Sequence, residues 1–247
     1  PKKSGTYYPS VTMVCGFLPK GQFFERYLAN QDSYEDAQKI LKEAGERGTR
    51  CHLISERLDR GEEISYEASN LFPEEYELMT GYVAWHKKYS PEIKHIELAL
   101  VSDKHKLGGT VDRIYVIDGK RTLFDLKTSK SAIFDSHWLQ VSAYSEMYEH
   151  LYKEKIDQVA ILRLTSKRKD LYEYVIRDRV EWKKDLKQFK VTYATMMYFQ
   201  GGKKIEPKII EVPETLKLDN FDSKKNPKEP PVLVLPAELK LDIISKE

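Results

Sequence analysis

The chain has 247 residues and a formal net charge of +2 at pH 7. A chain of this length can bury a substantial core and fits one domain with additions. Because its charges are nearly balanced, the protein is not uniformly basic, and any surface that binds nucleic acid would be a local basic channel. No apolar stretch approaches the length of a membrane span, and the start shows no signal-peptide pattern. We therefore expect a soluble protein whose native start is not Pro1.

Only two cysteines occur, Cys15 and Cys51. Two cysteines in a chain of this length give no disulfide framework, which favours a reducing compartment. We therefore expect an intracellular protein.

The first predicted element is helical and spans residues 36–61. Its pattern is interrupted near Gly45 to Gly48, so we expect a break there and a second helix from Arg50 to Leu58. His52 would then fall in the first turn of that second helix. A lone histidine is more often a surface or core residue than a metal ligand, so His52 is a candidate ligand only in combination with other site residues.

A β-hairpin is predicted after a strand at residues 95–101. Two runs rich in β-branched and aromatic residues, 110–117 and 121–128, are joined by Asp118 and Gly119. An Asp-Gly link between two such runs is a strong short-range signal for a hairpin.

The hairpin carries two acids and a lysine at positions that bring their side chains close together. Side chains alternate along a strand, so Asp125 and Lys127 share one face, and the pairing can bring Asp112 beside Asp125. Two carboxylates that close raise the pKa of one of them unless a cation lies between them, and Mg²⁺ or Mn²⁺ suits oxygen ligands. The alternative is an exposed ion pair. Asp112 lies beside Ile114 and Val116, where an unpaired carboxylate is costly, which favours the cation.

A helix is predicted over residues 136–153 with Ser136 as its cap. Gln140 and Tyr144 are four residues apart and therefore share a face, where they could bind phosphate oxygens and orient a catalytic side chain. The alternative is a half-buried aromatic with a glutamine beside it. The apolar stripe of this helix consists of Trp138, Leu139, Ala143, Met147 and Leu151.

Two strands, 158–165 and 171–177, and a long helix, 180–199, complete a mixed α/β layout with helices flanking a central sheet. Basic residues near the turn between these strands are candidates for a DNA channel, and a polar hairpin turn explains them equally well. They are Arg163, Lys167, Arg168 and Lys169.

The amino-acid composition of the chain changes after residue 200. Six prolines fall between Pro207 and Pro236, and no regular core element tolerates that density. We predict a domain over residues 1–200 and a proline-rich appendage over 201–247, whose pieces at 232–235 and 241–244 could dock on the body or on a partner. Aromatic residues near the start could stack on unpaired bases, although none is singled out: Tyr7, Tyr8, Phe23, Phe24 and Tyr27.

The order of these motifs resembles a known family. His52, then Asp112, then Asp125-Leu126-Lys127, then Gln140-x-x-x-Tyr144 is similar to the PD-(D/E)xK nuclease superfamily in its RecB-like branch. The resemblance runs from about residue 9 to residue 199. Its opening, PSVTMV, is similar to that of phage and prophage exonucleases and of the mitochondrial genome maintenance exonuclease. Asp125 stands where Glu is commoner, which is an accepted variant.

The resemblance implies a restriction-endonuclease-like core and a role for each residue. Asp112, Asp125 and the Leu126 carbonyl would ligate one or two Mg²⁺ or Mn²⁺ ions, with His52 completing or tuning the site. Lys127 would hold and polarise the attacking water. Gln140 and Tyr144 would position the DNA backbone or support the metal shell.

Two further implications concern single residues. Glu97 would be a further acid near a second ion, and the alternative is an exposed strand residue. Several relatives carry a four-cysteine iron–sulfur cluster, which two cysteines cannot build.

The expected function is a metal-dependent DNA exonuclease that acts on ends in recombination, repair or phage replication. DNA would be the partner, and a single-strand-annealing or replication protein is a candidate second partner; the oligomeric state is left open. The resemblance implies the cytoplasm of a bacterial or phage-infected cell rather than the mitochondrial matrix. The alternatives are an endonuclease of the same superfamily and a catalytically silent nucleic-acid-binding or assembly protein on the same fold. Intact acidic and lysine positions argue against the silent protein.

Overall fold

The computed structural model describes residues 3–5, 8–18, 33–129, 132–199 and 210–212. They fall in two compact units, Pro9–Ile205 and a smaller unit made of Pro1–Tyr8 with Glu206–Glu247. The described helices of the larger unit are α1 Val11–Gly16, α2 Tyr34–Asp59, α3 Tyr66–Ser69, α4 Pro73–Tyr89, α5 Asp135–Tyr152 and α6 Arg179–Phe199. Its described strands are β2 Glu92–Ser102, β3 Leu107–Ile117, β4 Lys120–Lys127, β5 Gln158–Leu164 and β6 Tyr172–Asp178.

The smaller unit contains one described strand pair. Strand β1, Lys3–Gly5, runs antiparallel to β7, Ile210–Val212. A short strand therefore forms within the predicted appendage, while its pieces at 232–235 and 241–244 lie outside the described residues. The predicted boundary at residue 200 stays a prediction.

The larger unit is built on a five-stranded sheet in the order β2-β3-β4-β5-β6. Strands β4 and β5 are parallel, and the other neighbours are antiparallel. A parallel pair needs a long crossover, and α5 lies in the connection between β4 and β5. The predicted fold class, a mixed sheet flanked by helices, is confirmed.

Each face of the sheet is covered by a separate hydrophobic cluster. Neighbouring residues of β4 show the two-residue period, because Leu123 packs into the first cluster and Phe124 into the second. Helices α1, α5 and α6 contribute to the first cluster, and α2 and α4 to the second. Strand β4 is therefore covered on both sides, which keeps water away from its polar side chains except at its end.

The hairpin prediction is confirmed by the β3–β4 pair. Ile117 pairs with Lys120, and the turn residues Asp118 and Gly119 have φ values of 49° and 73°. Two successive residues with positive φ are what a two-residue turn of this hand requires.

The predicted break in the first helix is wrong. Helix α2 continues without interruption from Tyr34 to Asp59, so His52 lies in its last third rather than in a first turn. A glycine in a helix costs about 1 kcal/mol relative to alanine. Burial of Cys51 and Ile54 against the sheet, together with the cap that Ser33 provides, outweighs that cost.

Helix α5 begins slightly earlier than predicted, and its cap is different. The helix starts at Asp135, so Ser136 lies inside it and is not the cap. Instead, the backbone N–H of Phe134 donates to Nδ1 of His137 at 3.3 Å. Of the predicted stripe, all members are buried except Leu151, which is 41% exposed.

The remaining predicted elements are confirmed, with strand and helix ends shifted by a few residues. No helix among the described residues is both long and apolar enough to cross a membrane. Cys15 and Cys51 are buried and free.

An ion-pair network joins α5 to α6 and gives a test of the packing. Glu149 accepts hydrogen bonds from Arg179 and from the N–H of Ile156. Burial alone would raise the pKa of Glu149, but these bonds outweigh it and hold the pKa below its ordinary value of 4.5. The stabilisation is therefore present above pH 4.5 and lost as the pH falls further.

We expect Glu149→Gln to lower the free energy of unfolding at pH 7 by about 1 to 2 kcal/mol. The difference from the wild type should shrink when urea titrations are repeated below pH 4.5. Glu77→Gln, at an exposed position of α4, is the control and should change little at either pH. An undiminished difference at low pH would contradict the prediction.

Candidate active site

The two strands of the hairpin separate at Asp112. Their register runs from Ile117 opposite Lys120 to Arg113 opposite Phe124 and ends there. Beyond that point, Oδ2 of Asp112 accepts the backbone N–H of Leu126 at 2.8 Å. A side-chain carboxylate thus takes the place of a backbone carbonyl, and the strands open around it.

Lys127 connects the hairpin to helix α5. Its Nζ donates to Oδ1 of Asp125 at 3.0 Å and lies 2.8 Å from Oδ2. It also donates to Oε1 of Gln140 at 3.3 Å. The prediction that Asp125 and Lys127 share a face is confirmed, and Gln140 lies within reach of the same ammonium.

Burial governs the protonation of this pair. Asp125 is only 3% exposed, and burial raises its pKa well above the ordinary range, against the pull of Lys127 and with a further contribution from Asp112. Burial also opposes the charge of Lys127, but Asp125 and Asp112 outweigh it and raise the pKa of the ammonium. Desolvation, rather than the repulsion between carboxylates that the sequence suggested, is the main cause of the Asp125 shift.

A second group of side chains faces this pair from β2 and α2. Ligand atoms of His52, Glu97 and Asp112 all lie within 4.8 Å of one another. Nδ1 of His52 is 3.5 Å from Oδ2 of Asp112, and its Nε2 is 2.9 Å from the carbonyl oxygen of Leu126. The Leu126 carbonyl, a ligand implied by the resemblance, therefore contacts His52.

These residues fit a divalent cation. The carboxylate oxygens of this group suit Mg²⁺ or Mn²⁺, whereas the imidazole of His52 is a ligand that also suits transition metals such as zinc. In addition, Oδ2 of Asp125 is buried, and Nζ of Lys127 lies 2.8 Å from it without forming a hydrogen bond of proper geometry. The oxygen therefore keeps an unused acceptor site, which a nearby cation would satisfy.

Glu97 adopts an unusual backbone conformation. Its φ is +48°, in the left-handed region that residues other than glycine rarely occupy, at a cost of about 1 to 3 kcal/mol. Its carboxylate accepts from Nη1 of Arg113 at 2.8 Å. Burial raises the pKa of Glu97, and Asp112 adds to the shift. The sequence left open whether Glu97 is a further acid of the site or an exposed residue, and the structure places it among the site acids.

Helix α2 approaches the end of β4 closely at Gly48. A Cβ atom at Gly48 would lie 3.7 Å from Oγ1 of Thr128, and Nη2 of Arg47 donates to the Thr128 carbonyl at 3.0 Å. This contact places His52 next to Leu126. The sequence pattern gave no sign of the Arg47 contact and suggested a helix break at Gly48.

Gln140 and Tyr144 lie on the face of α5 that is turned towards the hairpin. Tyr144 is buried and approaches Gly109 of β3. Burial raises the pKa of Tyr144, as do Asp125 and Asp112, while a hydrogen bond with Gln140 lowers it. The hydroxyl is therefore a neutral donor near both acids.

The basic candidates around the β5–β6 turn are placed differently from one another. Arg163 is the register partner of Lys127, but it is buried and its guanidinium contacts Glu173 at 2.6 and 2.9 Å and the Ser129 carbonyl at 3.2 Å. Its charge is already paired. Lys167 is exposed in the turn after β5, outside the contacting group described above. Of the aromatic candidates, Tyr7, Phe23, Phe24 and Tyr27 lie outside the described residues.

Comparison with known proteins gives structural likeness only. No protein-family model and no curated protein matches the chain. The alkaline exonuclease LHK-Exo from Laribacter hongkongensis, in complex with dAMP, is similar with a TM-score of 0.37 and 13% identity over 79% of this chain and 92% of that one. A second LHK-Exo structure gives 0.35 and 10% over the same shares.

A third solved structure is of a Eubacterium rectale protein named provisionally as an exonuclease. Its TM-score is 0.42 and its identity 12%, over 74% of this chain and 78% of that one. Likenesses at this level assign neither an activity nor a substrate to the chain.

The contact between Gly109 and Tyr144 can be tested by adding one methyl group. A Cβ atom at Gly109 would lie 2.8 Å from Cε1 of Tyr144, closer than real contacts allow. We expect Gly109→Ala to lower the free energy of unfolding by about 1 to 3 kcal/mol, because the buried ring must move and because the φ of +157° at this position is strained for alanine. Thermal unfolding measures the change.

Gly108→Ala is the matched control. Its added Cβ would meet its nearest neighbour at 3.7 Å, an ordinary contact. Equal destabilisation by the two neighbouring substitutions would show that Tyr144 does not pack against Gly109.

Proposed function

We propose that this chain is a metal-dependent nuclease that hydrolyses phosphodiester bonds of DNA. One observation carries the proposal. Segments that are distant in the chain bring together two carboxylates, an ammonium and a glutamine of the predicted motif, and one of these carboxylates belongs to the cluster of His52, Glu97 and Asp112 that could hold a cation. Asp112, Asp125 and Lys127 come from the hairpin, Gln140 from α5 and His52 from α2.

The cation would be held by His52, Glu97 and Asp112, with Asp125 near enough to interact electrostatically with Asp112 and His52. A bound Mg²⁺ or Mn²⁺ supplies positive charge against the phosphate and makes a nearby water more acidic. Two of the three donors are carboxylates, which favours such a hard cation over a soft one.

Lys127 acts as a hydrogen-bond donor in this proposal. Its raised pKa keeps the ammonium protonated, so it holds a water or a phosphate oxygen rather than accepting a proton. Asp125 and Gln140 fix its position from two sides. Charge that develops on the phosphate oxygens is then met by a donor that needs no rearrangement.

Gln140 and Tyr144 would position the phosphodiester backbone next to Lys127. Both present polar groups from one face of α5, and the hydroxyl of Tyr144 stays protonated. Neutral donors of this kind bind phosphate oxygens without reading the bases.

The finer assignment follows the family resemblance of the sequence. We infer an exonuclease that acts on DNA ends in recombination, repair or phage replication, within a bacterial or phage-infected cell. A single-strand-annealing or replication protein would be its natural partner, because such proteins bind the strands that an exonuclease exposes.

The proposal is tested with labelled linear and circular DNA in the presence of Mg²⁺, Mn²⁺ or EDTA. We expect cleavage with either cation and none with EDTA. Asp125→Asn and Lys127→Ala should each lower the rate at least about 100-fold, because each removes a preorganised charge.

Controls come from the same hairpin. Asp118→Asn and Lys120→Ala change an exposed acid and an exposed lysine and should leave the rate unchanged. Cleavage that persists in EDTA or in Lys127→Ala would overturn the mechanism. Folded protein that binds DNA and cuts none with Mn²⁺ would identify a silent binding protein.

Blocked ends distinguish an exonuclease from an endonuclease. We expect degradation of linear DNA, protection by a block at one end, and survival of closed circles. Cleavage of circles at a comparable rate would assign an endonuclease instead.

A further inference from the structure

Arg113 is one of the largest fully buried side chains among the described residues, with an exposure of 1%. It follows Asp112 in β3 and lies between Ile96 of β2 and Phe124 of β4 in the sheet. A charged side chain in the middle of a sheet needs partners for all its donors, because an unpaired one costs its full desolvation.

We infer that Arg113 is a positioning residue of the cation site, which rests on the nuclease function proposed above. Its guanidinium would set the geometry of Glu97, Asp112 and His52 without touching the cation or the substrate.

The first link runs to Glu97. Nη1 of Arg113 donates to Oε1 of Glu97 at 2.8 Å. Glu97 is held in a left-handed conformation, which aims its carboxylate towards Asp112 and His52. A strand residue in this conformation persists only where its surroundings determine it, and the guanidinium is the described partner of that carboxylate.

The second link runs to Asp112. The same Nη1 atom donates to the backbone carbonyl of Asp112 at 2.7 Å. This is the point where β3 leaves β4, so Asp112 has no ladder partner on that side. The bond fixes the backbone from which the carboxylate reaches Leu126.

The third link runs to the helix that carries His52. Nη2 of Arg113 donates to Oγ of Ser55 at 3.0 Å, and Oγ of Ser55 donates to the His52 carbonyl at 2.8 Å. All three members of the cation cluster are therefore connected to one guanidinium, two directly and one through Ser55.

The charge of Arg113 is balanced on its other side. Asp59, whose side chain is fully buried, contacts Nε of Arg113. Tyr82 and Tyr115 donate to the same carboxylate. The ion pair with Asp59 balances the charge of Arg113, and the additional bonds to Glu97 and Asp112 connect the guanidinium to the cation cluster.

Lysine cannot replace these bonds. An ammonium keeps the charge but lacks the planar fork that serves Asp59, Glu97 and Ser55 at once. Arg113→Lys therefore isolates geometry from electrostatics, since a neutral substitution would also change the attraction of the site for a cation.

The experiment measures the affinity for Mn²⁺ directly, from free Mn²⁺ in electron paramagnetic resonance titrations, on variants shown by circular dichroism to be folded. We expect Arg113→Lys to bind Mn²⁺ about 10- to 100-fold more weakly than the wild type, as is typical when a residue that orients metal ligands is changed. Arg179→Lys is the matched control: Arg179 also contacts a carboxylate twice and a backbone carbonyl once, but in the α5–α6 interface. Its affinity should equal that of the wild type.

A double-substitution cycle separates positioning from general loosening. If Arg113 acts through Glu97, Arg113→Lys should cost less affinity in a Glu97→Gln background than in the wild type. Equal costs in the two backgrounds, or an equal loss in Arg179→Lys, would overturn the inference. So would a folded Arg113→Lys protein that binds Mn²⁺ as tightly as the wild type.

Two outcomes keep this inference distinct from the proposed function. If the wild-type protein binds Mn²⁺ but cuts no DNA, the proposed nuclease function is wrong, and the Mn²⁺ affinities of the variants still decide the role of Arg113. If the wild-type protein binds no Mn²⁺, the proposed role of Arg113 is wrong.

Should Arg113→Lys fail to fold, Ser55→Ala removes only the third link. We expect it to weaken Mn²⁺ binding a few-fold, and an unchanged affinity would then overturn the inference.

Discussion

The hydrogen bond from the N–H of Leu126 to the Asp112 carboxylate is the interaction on which the site depends. A backbone carbonyl at that position would continue the β3–β4 ladder and close the sheet. Because a side chain accepts the N–H instead, the strands separate without leaving a buried donor unpaired. The gap admits His52 from one side and Gln140 from the other.

The two helices that reach the gap come from opposite faces of the sheet. Helix α2 packs with the second cluster and brings His52, whereas α5 packs with the first cluster and brings Gln140. Covering β4 on both faces has an electrostatic consequence, since Asp125 is buried and Lys127 is largely so. Burial opposes the charge of both groups, and the interactions of Lys127 with Asp125 and Asp112 raise the pKa of its ammonium.

The local half of this arrangement could be predicted from the sequence. The hairpin follows from a two-residue turn between two strand-like runs, and the common face of Asp125 and Lys127 follows from the period of a strand. The register of Gln140 and Tyr144 follows from the period of a helix. All three depend on residues that are close in the chain, where geometry leaves few choices.

The other half depends on contacts between distant segments. Gly48 reads as a helix break, but packing of α2 against the sheet decides otherwise. Glu97 has no sequence signal for a positive φ, because left-handed residues are usually Gly, Asn or Asp. Nothing in the strand pattern distinguishes Arg113 from a solvent-exposed residue, and only the positions of Asp59 and Ser55 account for its burial.

The charges at the site favour a divalent cation over a monovalent one. Glu97, Asp112 and Asp125 contribute three carboxylates, and Lys127 contributes one ammonium; the charge of Arg113 is matched by Asp59. When all are ionised, two negative charges remain uncompensated in a partly buried space. The raised pKa values of Asp125 and Glu97 express that excess, after the larger effect of burial itself. A cation with two charges removes the excess at once, whereas protonation of the acids would remove it at the cost of the ligands. The carboxylates whose mutual repulsion destabilises the site are thus the same groups that would bind the ion.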